Sequence, residues 1–320
     1  MHILITGGAG FLGQRLAAAL LQHPIIGKQL KQLILADVVL PTSPATGLAT
    51  EKVRCVELDI TDSEAVRHLI TPDITAIFHL AAVVSGQAEA NFDLGMAVNA
   101  EGTRILLEAV RHQTPGKMFV FASSLAVFGG QLPAVITDKT AVMPQSSYGT
   151  QKAVSELWVN DYTRKGFIDG RVLRLPTVCV RPGAPNAAAS SFASSIIREP
   201  LQGKTAICPV RPDLSLWLSS PETVVDNLIH SLSLSAYRFG ATRTINLPGI
   251  TVTVQAMIDA LQAATSPDTV ALIHHQPDAA ITKIVASWPS QFDVSEAIAL
   301  GFVRDRTFTD IIEAYLNRLA

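Results

Sequence analysis

A short apolar run, His2–Thr6, passes directly into Gly7-Gly8-Ala9-Gly10-Phe11-Leu12-Gly13 and from there into a helical pattern over Phe11–Gln22. Few folds use glycines at that spacing between a strand and a helix. Gly7 permits the tight turn, Gly10 lets backbone approach a pyrophosphate, and Gly13 lets helix and strand pack closely. The free N–H groups at the helix start then face negative charge. With a strand before it and a helix after it, this turn is expected to bind a dinucleotide.

An acid stands where such a site needs one. Asp37 ends the next expected strand, Gln32–Ala36, where a carboxylate accepts hydrogen bonds from the adenosine ribose and repels a 2′-phosphate. No arginine adjoins it in Ala36-Asp37-Val38-Val39-Leu40, so NAD is expected rather than NADP. A second acid, Asp59, follows the third strand. It is expected either to meet the adenine edge or to cap the helix Thr61–Ile70.

Further strands are expected at Val53–Leu58, Thr75–Leu80, Lys117–Ala122 and Arg171–Leu175, alternating with helices at Ser63–Ile70, Phe92–His112 and Tyr148–Lys165. Alternation of this kind implies parallel pairing with right-handed crossovers and helices on both sheet faces. After Leu175 the pattern turns irregular. Pro176–Pro221 is rich in Pro, Ser and Ala, as loops that shape a pocket are. A helix over Pro221–Ser235, a strand over Thr242–Leu247 and helices over Val254–Ala264 and Phe308–Leu319 follow. The fold class is therefore α/β: a Rossmann-type doubly wound parallel sheet with a smaller C-terminal substrate-binding lobe. Residues 1–175, with a return segment at 221–247, are expected to form the NAD-binding domain. Residues 176–220 and 248–320 are expected to form the lobe.

Composition narrows the partners. With 48% hydrophobic and 16% charged residues, the 320-residue chain has enough apolar content for a well-buried core. A formal net charge of -2 gives no reason to expect nucleic acid or an anionic membrane as partner. Cys55, Cys179 and Cys208 lie far apart without a Cys-x-x-Cys spacing, as reduced thiols of a cytoplasmic protein do. No leader is expected, because His2–Thr6 reaches glycines at once. The apolar stretch Met118–Val127 is broken by Ser123 and Ser124 and is too short to span a bilayer, so a soluble protein is expected. His274 and His275 are adjacent on an expected strand and point to opposite faces, so no metal site is expected. His79 reads as structural, and Trp217 as core or pocket wall.

Tyr148 and Lys152 share one helix face at i, i+4. A phenol with pKa near 10 is a poor base at neutral pH, and a nearby ammonium favours the phenolate. The pair thus suits removal of a proton from a hydroxyl. By itself such a pair is more often a solvated helix face. Ser123 and Ser124 reverse that judgement, because they follow the fifth strand at the carboxyl edge where parallel sheets place ligands. Ser124 is expected to orient the reacting oxygen, and Ser123 to contact cofactor or substrate.

Together, Thr6-Gly7-Gly8-Ala9-Gly10-Phe11-Leu12-Gly13, His79-Leu80-Ala81-Ala82, Asn99, Ser123-Ser124, Tyr148-x-x-x-Lys152 and Arg174-Leu175-Pro176 resemble the extended short-chain dehydrogenase/reductases, which include nucleotide-sugar epimerases. The resemblance covers the whole chain, since Asp293–Phe302 also resembles the family's C-terminal segment. It implies that Ser124, Tyr148 and Lys152 are catalytic, with Asn99 supporting the lysine side. It further implies that Gly7, Gly10, Phe11, Leu12, Gly13, Asp37, Asp59, Ile60, Leu80, Ala81, Ala82, Asn99, Tyr148, Lys152, Pro176 and Val178 surround NAD. One departure is Phe128, where the family usually has a tyrosine.

The stretches Ala82–Glu89 and Arg174–Asn186, continued by Ala187–Phe192, are similar to a narrower branch. That branch oxidises the C2 hydroxyl of a four-carbon sugar acid, D-erythronate, with NAD. A sugar acid needs a cation for its carboxylate, and a guanidinium grips one bidentately. Arg174, Arg181 and Arg211 are available for this, and Ser85, Asn186 and Ser191 for the hydroxyls. Two alternatives stand beside this reading: a nucleotide-sugar epimerase or dehydratase with tightly held NAD, and an NAD-sensing regulator that kept the fold. A homodimer through helices 92–112 and 148–165 is a family-like possibility.

Overall fold

The computed structural model describes residues 1–44, 50–183, 187–240 and 242–318. Twelve strands are formed among them: β1 (His2–Thr6), β2 (Gln32–Asp37), β3 (Val53–Glu57), β4 (Ala76–His79), β5 (Met118–Ser124), β6 (Asp169–Leu175), β7 (Thr177–Val178), β8 (Ala206–Cys208), β9 (Ser215–Ser219), β10 (Thr244–Asn246), β11 (Ile250–Thr253) and β12 (Ile273–His275). Seven make one sheet in the order β10-β6-β5-β4-β1-β2-β3, every pair of it parallel. The doubly wound α/β fold read from the sequence is the fold observed.

Alternation along the strands feeds two cores. Ile3 and Ile5 of β1, Leu33 and Leu35 of β2, and Val120 and Ala122 of β5 pack under the helices Phe11–Gln22 and Pro221–Ser233. Their neighbours Leu4, Ile34, Phe119 and Phe121 face the opposite layer, under Ser63–Leu69, Thr103–Gln113 and Ser147–Arg164. A period of two on strands covered on both faces leaves no polar side, so these strands read as continuous apolar runs. β1 pairs with both β4 and β2, which makes the end of β1 the point where strand order reverses. Ligands of open parallel sheets settle outside the strand ends at such a point.

A second core gathers Phe192, Ile196, Ile197, Leu216, Leu218, Met257, Leu261, Ile311 and Ile312 from the segments after β6. The stretch that read as irregular loop contains the helix Ser191–Leu201 and the strands β7, β8 and β9. Its Ser- and Ala-rich sequence with Pro200 near the helix end hides the period. Trp217 lies instead in the first core, 5% exposed and stacked on Phe292 at 4.9 Å.

The single helix expected over Phe92–His112 is corrected to several pieces. Ser85–Ala90 and Phe92–Gly95 are short helices, Met96–Gly102 is a wide π-helical turn, and Thr103–Gln113 is regular α-helix. The cause lies at Asn99. Its Oδ1 accepts from Val83 N–H at 2.7 Å, and its Nδ2 donates to Val83 O at 3.1 Å and Gln151 Oε1 at 2.8 Å. One extra residue per turn aims that side chain at the turn after β4, a use π-turns often have near functional sites.

Candidate active site

The phosphate turn folds as its glycines require. Gly7 sits at φ 76°, and a Cβ there would stand 2.7 Å from Ala81 N. A Cβ on Gly13 would lie 2.2 Å from Gly7 O. Gly10 differs, because a Cβ on it would meet only Gly7 O, at 3.2 Å, although Gly10 lines the main cavity. The room beside Gly10 is therefore open to that cavity rather than filled by protein. The helix Phe11–Gln22 begins at Gly10 with no side-chain cap, so its first N–H groups are available to an anion. Asp37 accepts a hydrogen bond from Ala9 N–H at 3.0 Å, tying the acid to the loop.

The cavity runs from this turn across the ends of β4, β5 and β6 to the second lobe. Its volume is about 380 Å³. Of the residues expected around NAD, Gly7, Gly10, Phe11, Leu12, Gly13, Leu80, Ala82, Tyr148, Lys152, Pro176 and Val178 line it. Ala81 packs into the core behind the turn, Ile60 is buried, and Asp59 is exposed. Asp59 Oδ1 holds its own turn through Thr61 N–H at 2.9 Å and Thr61 Oγ1 at 2.8 Å. Asp62, not Asp59, caps the following helix. Asn99 does not line the cavity, and its carbonyl accepts from Thr103 and Ser155 at 2.7 and 3.1 Å. It braces the turn after β4 instead of reaching the site.

Ser124, Tyr148 and Lys152 meet at one wall. The helix Ser147–Arg164 is started by Ser146, whose hydroxyl accepts from Gly149 N–H at 3.1 Å. Burial pushes the Tyr148 phenol up to about 12, against a hydrogen bond from Ser124 and the charge of Arg181, which both pull it down. Burial also pulls the Lys152 ammonium down to about 8, opposed by the Glu156 carboxylate. Lys152 Nζ donates to Ala122 O at 2.9 Å and lies 4.7 Å above the Phe121 ring. His79 behind it bonds Thr6 at 2.7 Å and Thr103 at 2.9 Å. Burial takes His79 down to about 3, so it stays neutral and structural.

At the substrate end the structure sorts the arginines. Arg174 is corrected: it is absent from the cavity wall and gives its guanidinium to Glu156 at 2.7 Å, both side chains being almost fully buried. Removing one partner of such a pair would strand a buried charge, at a cost of about 3–5 kcal/mol. Arg211 is exposed and pairs with Asp213 at 3.1 Å. Arg181 lines the cavity, makes no ion pair among the described residues, and keeps a buried Nη2 without any hydrogen-bond partner.

Ser85, Ser123 and Ser191 also line the cavity, whereas Asn186 lies outside the described residues. The Ser85 hydroxyl accepts from Ala189 N–H at 3.1 Å. Ser123, expected to contact cofactor or substrate, does line the cavity, and its hydroxyl donates to Glu156 at 2.5 Å, which leaves it an acceptor toward a ligand. Sequence reasoning missed Thr177, Arg198 and Trp288 on the same wall. Arg198 supports Arg181 by donating to its carbonyl at 2.6 Å. No local spacing links residue 288 to residue 148, so only the fold could bring them together. The histidine pair on β12 is exposed, and no group of side chains able to hold a metal ion occurs among the described residues. No helix is long and apolar enough to cross a membrane among the described residues.

The glycine turn, its acid and the cavity across the strand ends mark a dinucleotide-binding fold. The chain belongs to the NAD-dependent epimerase/dehydratase family, whose model matches residues 3–218, and NAD is its cofactor. It is 50% identical to the D-erythronate dehydrogenase of Cupriavidus necator, over 99% of this chain and 98% of that protein. It is also 50% identical to the D-erythronate dehydrogenase of Haemophilus influenzae, over 99% of each chain. A solved structure described as a nucleoside-diphosphate-sugar epimerase from Agrobacterium tumefaciens superposes with a TM-score of 0.92 at 39% identity, covering 99% of this chain and 94% of that one.

Proposed function

We propose that the protein is an NAD-dependent dehydrogenase that oxidises the C2 hydroxyl of D-erythronate, a four-carbon sugar acid, to the 2-oxo acid. The observation that carries the sugar-acid reading is Arg181. It is a cation with an unpartnered buried nitrogen beside Tyr148, where a carboxylate one carbon from the reacting hydroxyl would bind. Full-length relatives that carry the D-erythronate dehydrogenase name support the same substrate.

The glycine turn and the open helix start hold the pyrophosphate of NAD, and Asp37 the adenosine ribose. NAD, when bound, supplies the hydride acceptor. Arg181 takes the carboxylate and so places C2, with its hydroxyl, between Ser124 and Tyr148. Ser124 hydrogen-bonds the reacting oxygen. Tyr148 accepts the hydroxyl proton as the C–H bond breaks and the carbonyl forms. The Lys152 ammonium stabilises the phenolate that this role requires.

The C2 assignment has a direct test. D-erythronate deuterated at C2 should slow turnover and deliver deuterium to the reduced cofactor, whereas a C3 label should stay in the product. Transfer of the C3 label would refute it. Asp37→Ala is expected to raise KM for NAD about 10-fold or more, since a hydrogen bond to a charged group contributes about 1.5–3 kcal/mol. It should also erode the preference over NADP.

A homodimer through the helices at 92–113 and 147–164 belongs to the same reading. Phe92, Met96 and Leu157 stand 60, 40 and 65% exposed on segments that pack against each other. Light scattering should give twice the chain mass, and Leu157→Glu should give the single-chain mass. A single-chain mass for the unaltered protein would refute the dimer.

A further inference from the structure

Three successive residues of β5 are tied to three residues spaced one turn apart on the helix Ser147–Arg164. Ser124 lies beside the Tyr148 phenol and lowers its pKa, Ala122 O accepts from Lys152, and Ser123 donates to Glu156 Oε1. Positions 148, 152 and 156 follow at i, i+4 and i+8, so one helix face carries all three. Tyr148 and Lys152 open to the cavity, but Glu156 does not. Its carboxylate is braced from behind by Arg174, through Nε at 2.9 Å and Nη2 at 2.7 Å, and that guanidinium rests on the Phe128 ring at 4.8 Å.

A buried ion pair is a poor way to gain stability, because apolar side chains of the same volume serve packing as well or better. The charge at this position therefore points to a task other than packing. We propose that Glu156, held between Ser123 and Arg174, is a positioning residue for the Tyr148–Lys152 pair. Its carboxylate supports the lysine charge one turn away, and its bond to Ser123 fixes the strand end that presents Ser124. The inference rests on the reading of Tyr148 and Lys152 as the proton-handling pair.

The other charged or titratable groups near that pair and its brace are His79 from β4, Asp138, Arg174 from β6 and Arg181 from the segment after β7. His79 is neutral, and Arg181 is the same in every variant considered. Burial raises the Asp138 carboxyl to about 6 against the pull of Arg174, so Glu156→Gln leaves it in place and Arg174→Met moves it toward the neutral acid. Glu156→Gln removes the anion that supports the Lys152 ammonium and so disfavours the phenolate. Arg174→Met leaves the Glu156 anion unopposed, which strengthens that support and favours it.

The test is the pH profile of kcat for sugar-acid oxidation. The acid limb should move up for E156Q and down for R174M, each by about half a pH unit or more. Profiles that overlay the unaltered enzyme, or that shift in the same direction, would overturn the proposal. If either variant fails to fold by circular dichroism, Ser123→Ala decides, since it cuts the link without unpairing a charge. It should lower kcat about 10-fold, the loss of one hydrogen bond, with KM changed less than about twofold. An unchanged kcat would overturn the proposal. The underlying reading fails separately, on full activity of Tyr148→Phe.

Discussion

Tyr148→Phe is expected to lower kcat for sugar-acid oxidation by about 10²–10⁴-fold, the range that a positioned acid–base group contributes. The ring stays, so the cavity wall and the contact with Lys152 at 5.8 Å stay with it. KM for NAD and for the acid should therefore move little, and thermal stability should be preserved. The pH dependence follows from the same group. Oxidation needs the phenolate, and burial holds the phenol high, so the rate should rise as pH increases from neutral. Reduction of the 2-oxo acid needs the phenol, which stays protonated there, and should hold level until pH approaches about 12. Steady-state kinetics in both directions check this. A phenylalanine variant that keeps the pH dependence of the unaltered enzyme would remove Tyr148 from the mechanism.

The second large effect is expected at the opposite end of the substrate. Arg181→Met should raise KM for the sugar acid about 100-fold while kcat changes by less than 10-fold. A charge-assisted bidentate contact contributes about 3 kcal/mol, and it is present before and during the reaction. Arg181→Lys should recover only part of the loss, because a point charge lacks the planar fork. An uncharged amide of the same acid should bind the unaltered protein and R181M alike. Equal KM values for the acid in both proteins would move the carboxylate elsewhere in the cavity.

Much of this was legible in the sequence, for local reasons. A strand, a glycine turn and a helix are adjacent in the chain, and the glycines obey sterics that any neighbour would impose. Asp37 follows in the next strand, and Tyr148 and Lys152 share a helix face through a spacing of four. What could not be read locally depends on partners far along the chain. Arg174 looked like a carboxylate anchor until Glu156, on another element, was found to hold it. Ser123 lines the cavity as its place after β5 implies, but only the fold shows that the same carboxylate takes the bond its hydroxyl donates. The π-turn at Met96–Gly102 is invisible to a helical period, because its cause is the bonding of one side chain, Asn99, to Val83 and Gln151. Trp288 and Arg198 reach the cavity only through tertiary packing, Trp288 against both cores. Sequence spacing therefore located the cofactor end, and tertiary contacts were needed to choose among candidates at the substrate end.

The most direct test of the account is turnover by the purified chain with NAD across D-erythronate, its tetronate stereoisomers and a set of UDP-sugars. Stoichiometric formation of reduced cofactor and a 2-oxo acid is expected with D-erythronate, and no conversion of the nucleotide sugars. Epimerised or dehydrated UDP-sugar without net reduction of NAD, and no response to any tetronate, would contradict it.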